Sequence, residues 1–497
     1  MLICCNLNPS EIYSSVHELI RAAYPGCEIT RDESKKADTD VYIRLKNQGG
    51  NIILEGKIIS DNGTEVTGSR REYTVNSISK EKDNDTRRLI RVFTYRLLAK
   101  HLQRDISPYG ILTGVRPVKL IHRFLDQGCG HSEIISRLQR EYLLKREKAE
   151  LLWEIAANNR PFLAEPGKAE KKISIYLGIP YCPTRCCYCS FPGAAINNYE
   201  ADISPFFEAL LQEIDAIGDC VSDKGVLVQS IYIGGGTPTV LSETDFKRLF
   251  AALYNKSLIS TDTAEITVEA GRPDTLSLAK LKVLSEAGVN RVCINPQTMN
   301  DSTLKLIGRN HDREGVMRSI EWAREAGIRQ INMDLIAGLP NETIRDNEYT
   351  AEQVLKLKPD NITIHTLAVK RGSVMARVKK EPDAADQSAE VERGVEFFGS
   401  VLRQAGYLPY YLYRQKSMKA NMENIGYSLA GNFCIYNIQM IEERQTIIGI
   451  GGGAASKFVS PSDWTLTSFY NPRDPEAYCQ SISKLIAYKV DKLRALN

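Results

Sequence analysis

The sequence predicts an α/β protein built on six βα units, arranged as an open sheet or a partial (β/α)6 barrel, with an N-terminal α+β domain and a small C-terminal α+β domain. Between residues 173 and 367 the chain alternates six times between short apolar, β-branched segments and longer amphipathic ones. Repeated βα units of this kind form parallel sheets, with their chemistry at the carboxyl ends of the strands. Six units are too few to close an eightfold barrel, so an open sheet and an open partial barrel both fit the pattern.

Three domains are expected from the length and from one linker. A chain of 497 residues is long enough for two or three domains with sizeable cores. Residues 159–171 are rich in proline and charge, which is typical of a linker, and the strand–helix alternation fades after residue 370. We therefore predict an N-terminal domain at 1–160, the barrel at 161–370 and a C-terminal domain at 371–497.

Composition and charge indicate a globular protein of the cytoplasm. The hydrophobic content of 43% and the charged content of 25% are ordinary values for a soluble domain. A net charge of +3 gives no indication of a nucleic-acid or membrane partner, and no apolar run approaches the ~20 residues of a membrane helix. Twelve cysteines without a signal peptide favour a reducing compartment. We expect a cytoplasmic protein that binds neither nucleic acid nor membrane.

Hydrophobic periodicity gives the individual elements. In the N-terminal domain it predicts strands at 1–7, 41–45, 52–59 and 65–75, turns at Gly49-Gly50 and Asn62-Gly63, and helices at 10–23, 85–103, 117–127, 131–141 and 144–158. In the barrel it predicts strands near 173–179, 228–234, 264–269, 290–295, 329–335 and 360–367, with helices that include 205–217, 244–254 and 313–326. The C-terminal domain should contain helices at 388–405 and 484–492, an aromatic-rich strand or loop at 407–414, and a glycine-rich stretch at 446–456.

Three cysteines follow the first barrel strand, at positions 1, 5 and 8 of one loop: Cys182, Cys186 and Cys189. Three thiolates can hold three corners of a [4Fe–4S] cube, which normally takes four. The fourth iron then stays open and reactive, as an open position does on catalytic zinc. The alternative is a structural zinc site, which normally takes a fourth Cys or His. The nearest candidate, Cys187, adjoins Cys186 and is poorly placed to share its metal, so the spacing favours the cluster.

Two acidic residues near strand ends are further candidates for the site. Glu269 closes the third strand and Asp334 lies inside the apolar fifth strand. Burying an unpaired carboxylate costs several kcal/mol, so a functional partner is the simplest explanation for each. Gly234-Gly235-Gly236, at the end of the second strand, would let backbone approach a ligand closely.

The C-x3-C-x2-C spacing, with Tyr188 directly before the last cysteine, resembles the radical S-adenosylmethionine (SAM) enzymes. Further motifs along 173–370 make the chain similar to the oxygen-independent coproporphyrinogen III oxidase family. Within that family, the length and the N-terminal extension are most similar to the HemZ-type branch. The resemblance implies a radical-SAM partial barrel, a [4Fe–4S] cluster held by the three cysteines, SAM as second cofactor, and an electron donor such as flavodoxin or ferredoxin. The glycine-rich C-terminal stretch resembles a family segment that closes over the adenosyl group.

The resemblance also implies which residues contact SAM. The positions that match the family motifs are Tyr176, Tyr188, Gly235, Gly236, Thr237, Glu269, Gln297, Arg309, Asp334, Ala368 and Ala455. His311, two residues after Arg309, is either a proton donor or an exposed residue at a helix end.

The reaction implied by the resemblance is the oxidative decarboxylation of coproporphyrinogen III. A 5′-deoxyadenosyl radical takes a hydrogen atom from a propionate, and loss of CO2 and one electron leaves a vinyl group, twice for each protoporphyrinogen IX. The four propionates of the substrate require fixed cations. Arg116 at a helix start and Arg414 are candidates, and the aromatic stretch 410–413 before Arg414 offers a surface for a flat macrocycle. The alternative is that both are ordinary surface arginines.

Two departures from the family pattern leave other functions open. The oxidases have a fourth cysteine two residues after the triad, where this chain has Phe191. The haem-chaperone branch carries a His-Asn-x-x-Tyr-Trp motif, and the comparable stretch here, Tyr436–Ile441, lacks the histidine and both aromatics. The alternatives are therefore a haem-binding or haem-trafficking protein, or a radical SAM enzyme acting on another tetrapyrrole.

Overall fold

A computed structural model of the chain describes residues 1–48, 51–73, 79–167, 171–189, 194–196, 202–368, 372–377, 384–415 and 422–495. The chain forms two compact units, Met1–Trp153 and Glu154–Asn497. The predicted turn at Gly49-Gly50 and the departure at Phe191 lie outside the described residues.

The first unit is a five-stranded mixed sheet with helices. Its elements are β1 (Leu2–Asn8), α1 (Tyr13–Ala23), β2 (Glu28–Thr30), β3 (Thr39–Gln48), β4 (Asn51–Ser60), β5 (Glu65–Tyr73), α2 (Ser79–Leu102), α3 (Val118–Asp126), α4 (His131–Tyr142) and α5 (Arg146–Asn159), the last of which runs into the second unit. The strand order is β2-β1-β3-β4-β5. Helix α2 packs closely on β4, because a Cβ at Gly56 would lie only 2.7 Å from the Phe93 ring.

The second unit alternates strands and helices. Its elements are β6 (Lys172–Ile179), β7 (Tyr181–Cys182), β8 (Ala194–Ala195), α6 (Ser204–Lys224), β9 (Leu227–Gly235), α7 (Glu243–Asn255), β10 (Glu265–Glu269), α8 (Leu278–Glu286), β11 (Arg291–Cys293), α9 (Asp301–Leu306), α10 (Arg313–Glu325), β12 (Gln330–Ala337), α11 (Ile344–Lys356), β13 (Asn361–Thr366), α12 (Ala384–Gln404), β14 (Leu408–Tyr413), β15 (Asn424–Ser428), α13 (Ile435–Glu442), β16 (Thr446–Gly451), β17 (Ala455–Val459), β18 (Leu466–Tyr470) and α14 (Pro475–Arg494).

Eleven of these strands form one sheet in the order β14-β15-β13-β12-β11-β10-β9-β6-β16-β17-β18, and β7 and β8 pair with each other in a separate two-stranded sheet. The six strands predicted for the barrel are β6 and β9 to β13, all parallel, and the α/β fold class is confirmed. The glycine-rich stretch adds a further parallel strand, since β16 pairs with β6 from Thr446↔Ile173 to Gly451↔Gly178. The first barrel strand therefore lies between β9 and β16.

Buried polar contacts close the amino-terminal end of the sheet. Glu265, the first residue of β10, accepts hydrogen bonds from the backbone N–H groups of Ile435 (2.9 Å) and Tyr436 (3.1 Å), at the start of α13. Its carboxylate also pairs with Arg291, the first residue of β11, at 3.3 Å. A carboxylate at a helix N-terminus is stabilised by the free N–H groups and the helix dipole. Helix α13 is thereby fixed at the end of the sheet opposite the strands' carboxyl ends.

None of the helices in the described part of the chain is long and apolar enough to cross a lipid bilayer.

Candidate active site

The cysteine loop begins at β7 and is fixed by backbone hydrogen bonds. The Cys189 N–H donates to the Cys186 carbonyl at 3.1 Å. The Cys187 N–H donates to the Ile307 carbonyl, and the Cys187 carbonyl accepts from Met375 N–H, both at 3.0 Å. The backbone of Cys187 is thus fixed on both sides, and none of the loop cysteines forms a disulfide.

Two of the three thiols have a donor beside them. Thr237 Oγ1 donates to Cys182 Sγ at 3.6 Å, and Arg272 Nη1 lies 4.0 Å from Cys186 Sγ. Burial raises the pKa of the Cys182 thiol, and the Thr237 hydrogen bond opposes that effect. Hydrogen bonds and positive charge next to cysteine sulfur are the usual surroundings of a protein-bound iron–sulfur cluster.

The spacing of the thiols fits a cluster better than one metal ion. Among the described residues, no three His, Cys, Asp or Glu side chains converge as the ligands of a single ion. Zinc would need all its ligands within about 2.3 Å of one centre. A cubane spreads its thiolates over three separate irons, which a C-x3-C-x2-C loop can supply. Cys182, Cys186 and Cys189 therefore fit a [4Fe–4S] cluster.

The glycine segment after β9 is bound directly to the strand that leads into Cys182. Gly236 N–H donates to the Ile179 carbonyl at 2.8 Å, and Thr237 N–H donates to the Tyr181 carbonyl at 2.7 Å. A Cβ at Gly236 would lie 2.3 Å from the Tyr181 carbonyl oxygen, so a larger residue would displace one of the two segments. Gly235 has φ +108°, a conformation open to glycine and few other residues.

Glu269 is the acidic group closest to this segment. Its carboxylate accepts a hydrogen bond from Tyr232 OH at 2.9 Å and one from Gly235 N–H. Burial is the main cause that raises the pKa of Glu269 to about 7, and the nearby Asp334 carboxylate adds to it. Glu269 is therefore a carboxyl group that can gain or lose a proton near neutral pH.

Gln297 and Arg309 are both buried and keep atoms free for a ligand. Arg309 donates to the carbonyls of Gly271 (2.9 Å) and Asn295 (2.6 Å) and to Tyr188 OH (3.2 Å). Its Nε, and Oε1 of Gln297, find no hydrogen-bond partner among the described residues. Gln297 also has φ +73°, which is strained for a residue with a side chain. Orphaned buried atoms and local strain are both typical of a ligand site.

Asp334 is held by two side chains. Asn332 Nδ2 donates to its Oδ1 at 2.8 Å, and His365 Nε2 lies 3.7 Å from its Oδ2. The other ring nitrogen of His365 lies 3.3 Å from Tyr413 OH. Burial by itself would raise the pKa of Asp334, but the interactions with His365 and Asn332 outweigh it and lower the pKa. The carboxylate stays ionised and its orientation is fixed.

The remaining predicted contacts lie on or shortly after different strands of the sheet. The Tyr176 ring stacks on those of Tyr232 and Tyr436, with centroids 6.0 Å apart in both cases. Gly449 is the register partner of Tyr176, and a Cβ on Gly449 would lie 2.6 Å from Ala455 backbone. Ala455, the first residue of β17, thus packs against β16, the strand that lies between β17 and the Tyr176 strand. Ala368 follows β13 and is partly buried.

Two expectations about individual residues are wrong. His311 is not an exposed residue at a helix end, because both ring nitrogens are buried without a partner among the described residues. Burial, with Arg309 and Arg272 nearby, lowers the pKa of His311 to about 3, so it is neutral. Tyr410 and Tyr411 do not form an open surface for a macrocycle, since they are 1% and 6% exposed in the core. Arg414 is also buried, at 8% exposure, and is no surface arginine.

Sequence reasoning missed Arg272, His365 and Tyr413. Arg272 could have been found from its position three residues after Glu269 and two before Asp274. His365 and Tyr413 carry no local motif, and only the pairing of their strands within one sheet brings them to Asp334.

Comparison with known proteins indicates the same class of protein as the fold and the site do. Residues 176–354 match the model of the Radical SAM superfamily. The chain is 35% identical over 494 residues to the oxygen-independent coproporphyrinogen-III oxidase-like protein HemZ of Bacillus subtilis, which covers 99% of this chain and 97% of that protein. It is 38% identical over 201 residues to the haem chaperone HemW of the same organism, covering 40% of this chain and 52% of that one.

A solved structure has a related fold. Coproporphyrinogen III oxidase (HemN) from Escherichia coli aligns with a TM-score of 0.51 at 23% identity, over 68% of this chain and 72% of that one.

The fold and the cysteine loop define a radical SAM protein, whose cofactors are a [4Fe–4S] cluster and SAM. More particularly, the chain belongs to the oxygen-independent coproporphyrinogen III oxidase family, in its HemZ-type branch.

Proposed function

We propose that the protein is an oxygen-independent coproporphyrinogen III dehydrogenase, which converts two propionates to vinyl groups. The observation that carries the proposal is the convergence of the cysteine loop with Glu269, Gln297, Arg309 and Asp334 at the carboxyl ends of the barrel strands, in a chain similar to HemZ over its full length. When bound, the cluster and SAM supply a carbon-centred radical able to take a hydrogen atom from a propionate side chain.

The residues of the chain hold and shield these groups. Cys182, Cys186 and Cys189 would hold the cluster. The backbone of residues 235–237 and the Glu269 carboxylate would bind the methionyl end of SAM, and Gln297 and Arg309 offer their free atoms to its other polar groups. The stacked rings of Tyr176, Tyr232 and Tyr436 exclude water beneath the site.

A haem-carrier function is the second candidate, and the similarity to HemW favours it. The structure offers one observation against it. The stretch comparable to the chaperone's histidine motif lies in α13, where Tyr436 is 5% and Ile438 0% exposed. Tyr436, at the position of the chaperone's histidine, therefore packs into the core instead of facing a ligand.

Anaerobic assays with two tetrapyrroles would separate the two candidates. The reconstituted protein is incubated with SAM, a reductant and coproporphyrinogen III, and the products are oxidised and separated by chromatography. In parallel, haem is titrated into the same preparation. The dehydrogenase predicts protoporphyrin and 5′-deoxyadenosine as products, whereas tight haem binding without either would favour the carrier. The variant Phe191→Cys belongs in the same assay, because activity confined to that variant would point to a different natural tetrapyrrole.

Binding at Glu269 should be coupled to proton release. With its pKa near 7, Glu269 is protonated in much of the free protein below neutral pH, and a cationic amino group beside it would favour the carboxylate. We therefore expect the affinity for S-adenosylhomocysteine to rise as pH increases from about 5.5 to 7.5, by at most about tenfold per unit. Calorimetry at pH 6.5, in two buffers of different ionisation heat, measures the released proton directly.

The matched control for that measurement is Glu269→Gln, which keeps an acceptor for Tyr232 OH but cannot titrate. The variant should release fewer protons and show a flatter pH dependence. Equal proton release by the two proteins would place the titrating group elsewhere.

A further inference from the structure

Arg272 is a buried arginine that no family motif assigns. It directly follows Gly271 after β10 and is 4% exposed. Its Nε and Nη2 each donate to one oxygen of Asp274 at 2.9 Å, the bidentate geometry in which arginine binds carboxylate most firmly. Asp274 thus fixes the plane of the guanidinium.

The other edge of that guanidinium faces the cysteine loop. Nη2 donates to Thr184 Oγ1 at 2.9 Å, and Nη1 lies 3.5 Å from the Thr184 carbonyl and 4.0 Å from Cys186 Sγ. One side chain therefore contacts both Thr184 and the sulfur two residues later. The Arg272–Asp274 pair forms a dipole whose positive end is directed at Cys186.

We propose that Arg272 is a positioning residue for the cluster, which fixes the Thr184–Cys186 part of the loop and raises the reduction potential of the cluster bound there. The inference rests on the assignment of the cluster to the three cysteines and does not depend on the tetrapyrrole. A reduced cluster carries one more negative charge than an oxidised one, so a fixed cation at a ligand sulfur stabilises the reduced form. Arg272 is buried, which weakens the screening of its charge by solvent.

The same loop contains a matched control. Arg185 adjoins Cys186 but is exposed, and its guanidinium donates to the Gly372 carbonyl at 2.9 Å. It carries the same charge in the same loop, but solvent screens it. An effect of net charge alone would make the two arginines equivalent, whereas the proposed dipole acts through Arg272.

The experiment is a redox titration of the [4Fe–4S] cluster in the full-length, reconstituted protein without SAM, followed by electron paramagnetic resonance. Iron and sulfide content are measured in each sample. Arg272→Gln should shift the potential to more negative values, and Arg272→Lys should shift it less. Asp274→Asn should shift it to less negative values, because the charge on Arg272 is then uncompensated. Arg185→Gln should stay near the wild-type value.

The shifts in reduction potential have opposite signs in Arg272→Gln and Asp274→Asn. If Arg272 only held the loop in place, both variants would instead contain less cluster, and the potential of the remaining cluster would not change. If Arg272→Gln fails to assemble a cluster, the potential of Asp274→Asn alone tests the proposal. The role of Arg272 would be overturned by unchanged potentials in the variants at 272 and 274, or by shifts of both in one direction. It would also be overturned by an Arg185→Gln shift as large as that of Arg272→Gln. A wild-type protein that binds no cluster would instead overturn the ligand assignment.

Discussion

Replacing Cys186 with alanine should abolish cluster assembly, whereas replacing its neighbour Cys187 should leave the cluster largely intact. The Cys186 thiol faces Arg272, while the backbone of Cys187 is fixed to Ile307 and Met375 on the other side of the loop. A cube with two protein ligands in place of three has a second exposed iron and falls apart readily. The same loss is expected for Cys182→Ala and Cys189→Ala.

Anaerobic reconstitution, followed by visible absorbance and iron analysis, measures the effect. Addition of SAM and dithionite should yield 5′-deoxyadenosine with the wild type and with Cys187→Ala, and none with the other three variants. A stable cluster in Cys186→Ala, or its loss in Cys187→Ala, would contradict the ligand assignment. Because the paired variants differ by one position, a general loss of folding cannot explain a difference between them.

Replacing Lys489 with methionine should destabilise the second unit by about 3–5 kcal/mol, since removal of one partner leaves a buried charge uncompensated. Lys489 in α14 is 0% exposed and pairs with Glu213 in α6. Its Nζ also donates to the Gly449 carbonyl at 2.6 Å and to Asn471 Oδ1 at 2.8 Å. Glu213 in turn accepts from Gly451 N–H at 2.8 Å. The Glu213–Lys489 pair therefore connects helices α6 and α14 to the glycine-rich strand β16.

Denaturant unfolding of the cluster-free protein gives the change in free energy. Lys484→Met, an exposed position on the same helix, is the control and should stay within about 0.5 kcal/mol of the wild type. The double variant Lys489→Met/Glu213→Gln should regain part of the loss, because it removes both charges. A cost below about 1 kcal/mol for Lys489→Met would show that the Glu213 carboxylate finds another partner.

The barrel and its cysteine loop could be predicted because their signals are local. Each strand of the barrel is a short apolar run, and the three cysteines lie within one loop, so neighbours in sequence are also neighbours in space. Glu269 and Asp334 could be proposed as site residues for a similar reason, since a carboxylate in an apolar strand is conspicuous.

What could not be predicted depends on pairing between distant parts of the chain. The sequence pattern predicts no strand within the glycine-rich stretch 446–456, and the register with β6 is what makes β16 a strand. His365 and Tyr413 meet because β13 and β14 both pair with β15. Tyr410 is buried against Phe433, with ring centroids 5.1 Å apart, a contact that no periodicity within 407–414 reveals.

The position of β6 between β9 and β16 has a consequence for biosynthesis. A nascent chain leaves the ribosome from its N-terminus, and domains fold as they emerge. Here the strand that leads into the cysteine loop acquires its second neighbour only when Thr446–Gly451 has been translated. Until then one edge of β6 is an unpaired row of N–H and carbonyl groups, open to wrong partners. We therefore expect stable cluster insertion to follow the translation of β16, and ribosome-bound chains that stop before residue 446 should acquire no stable cluster.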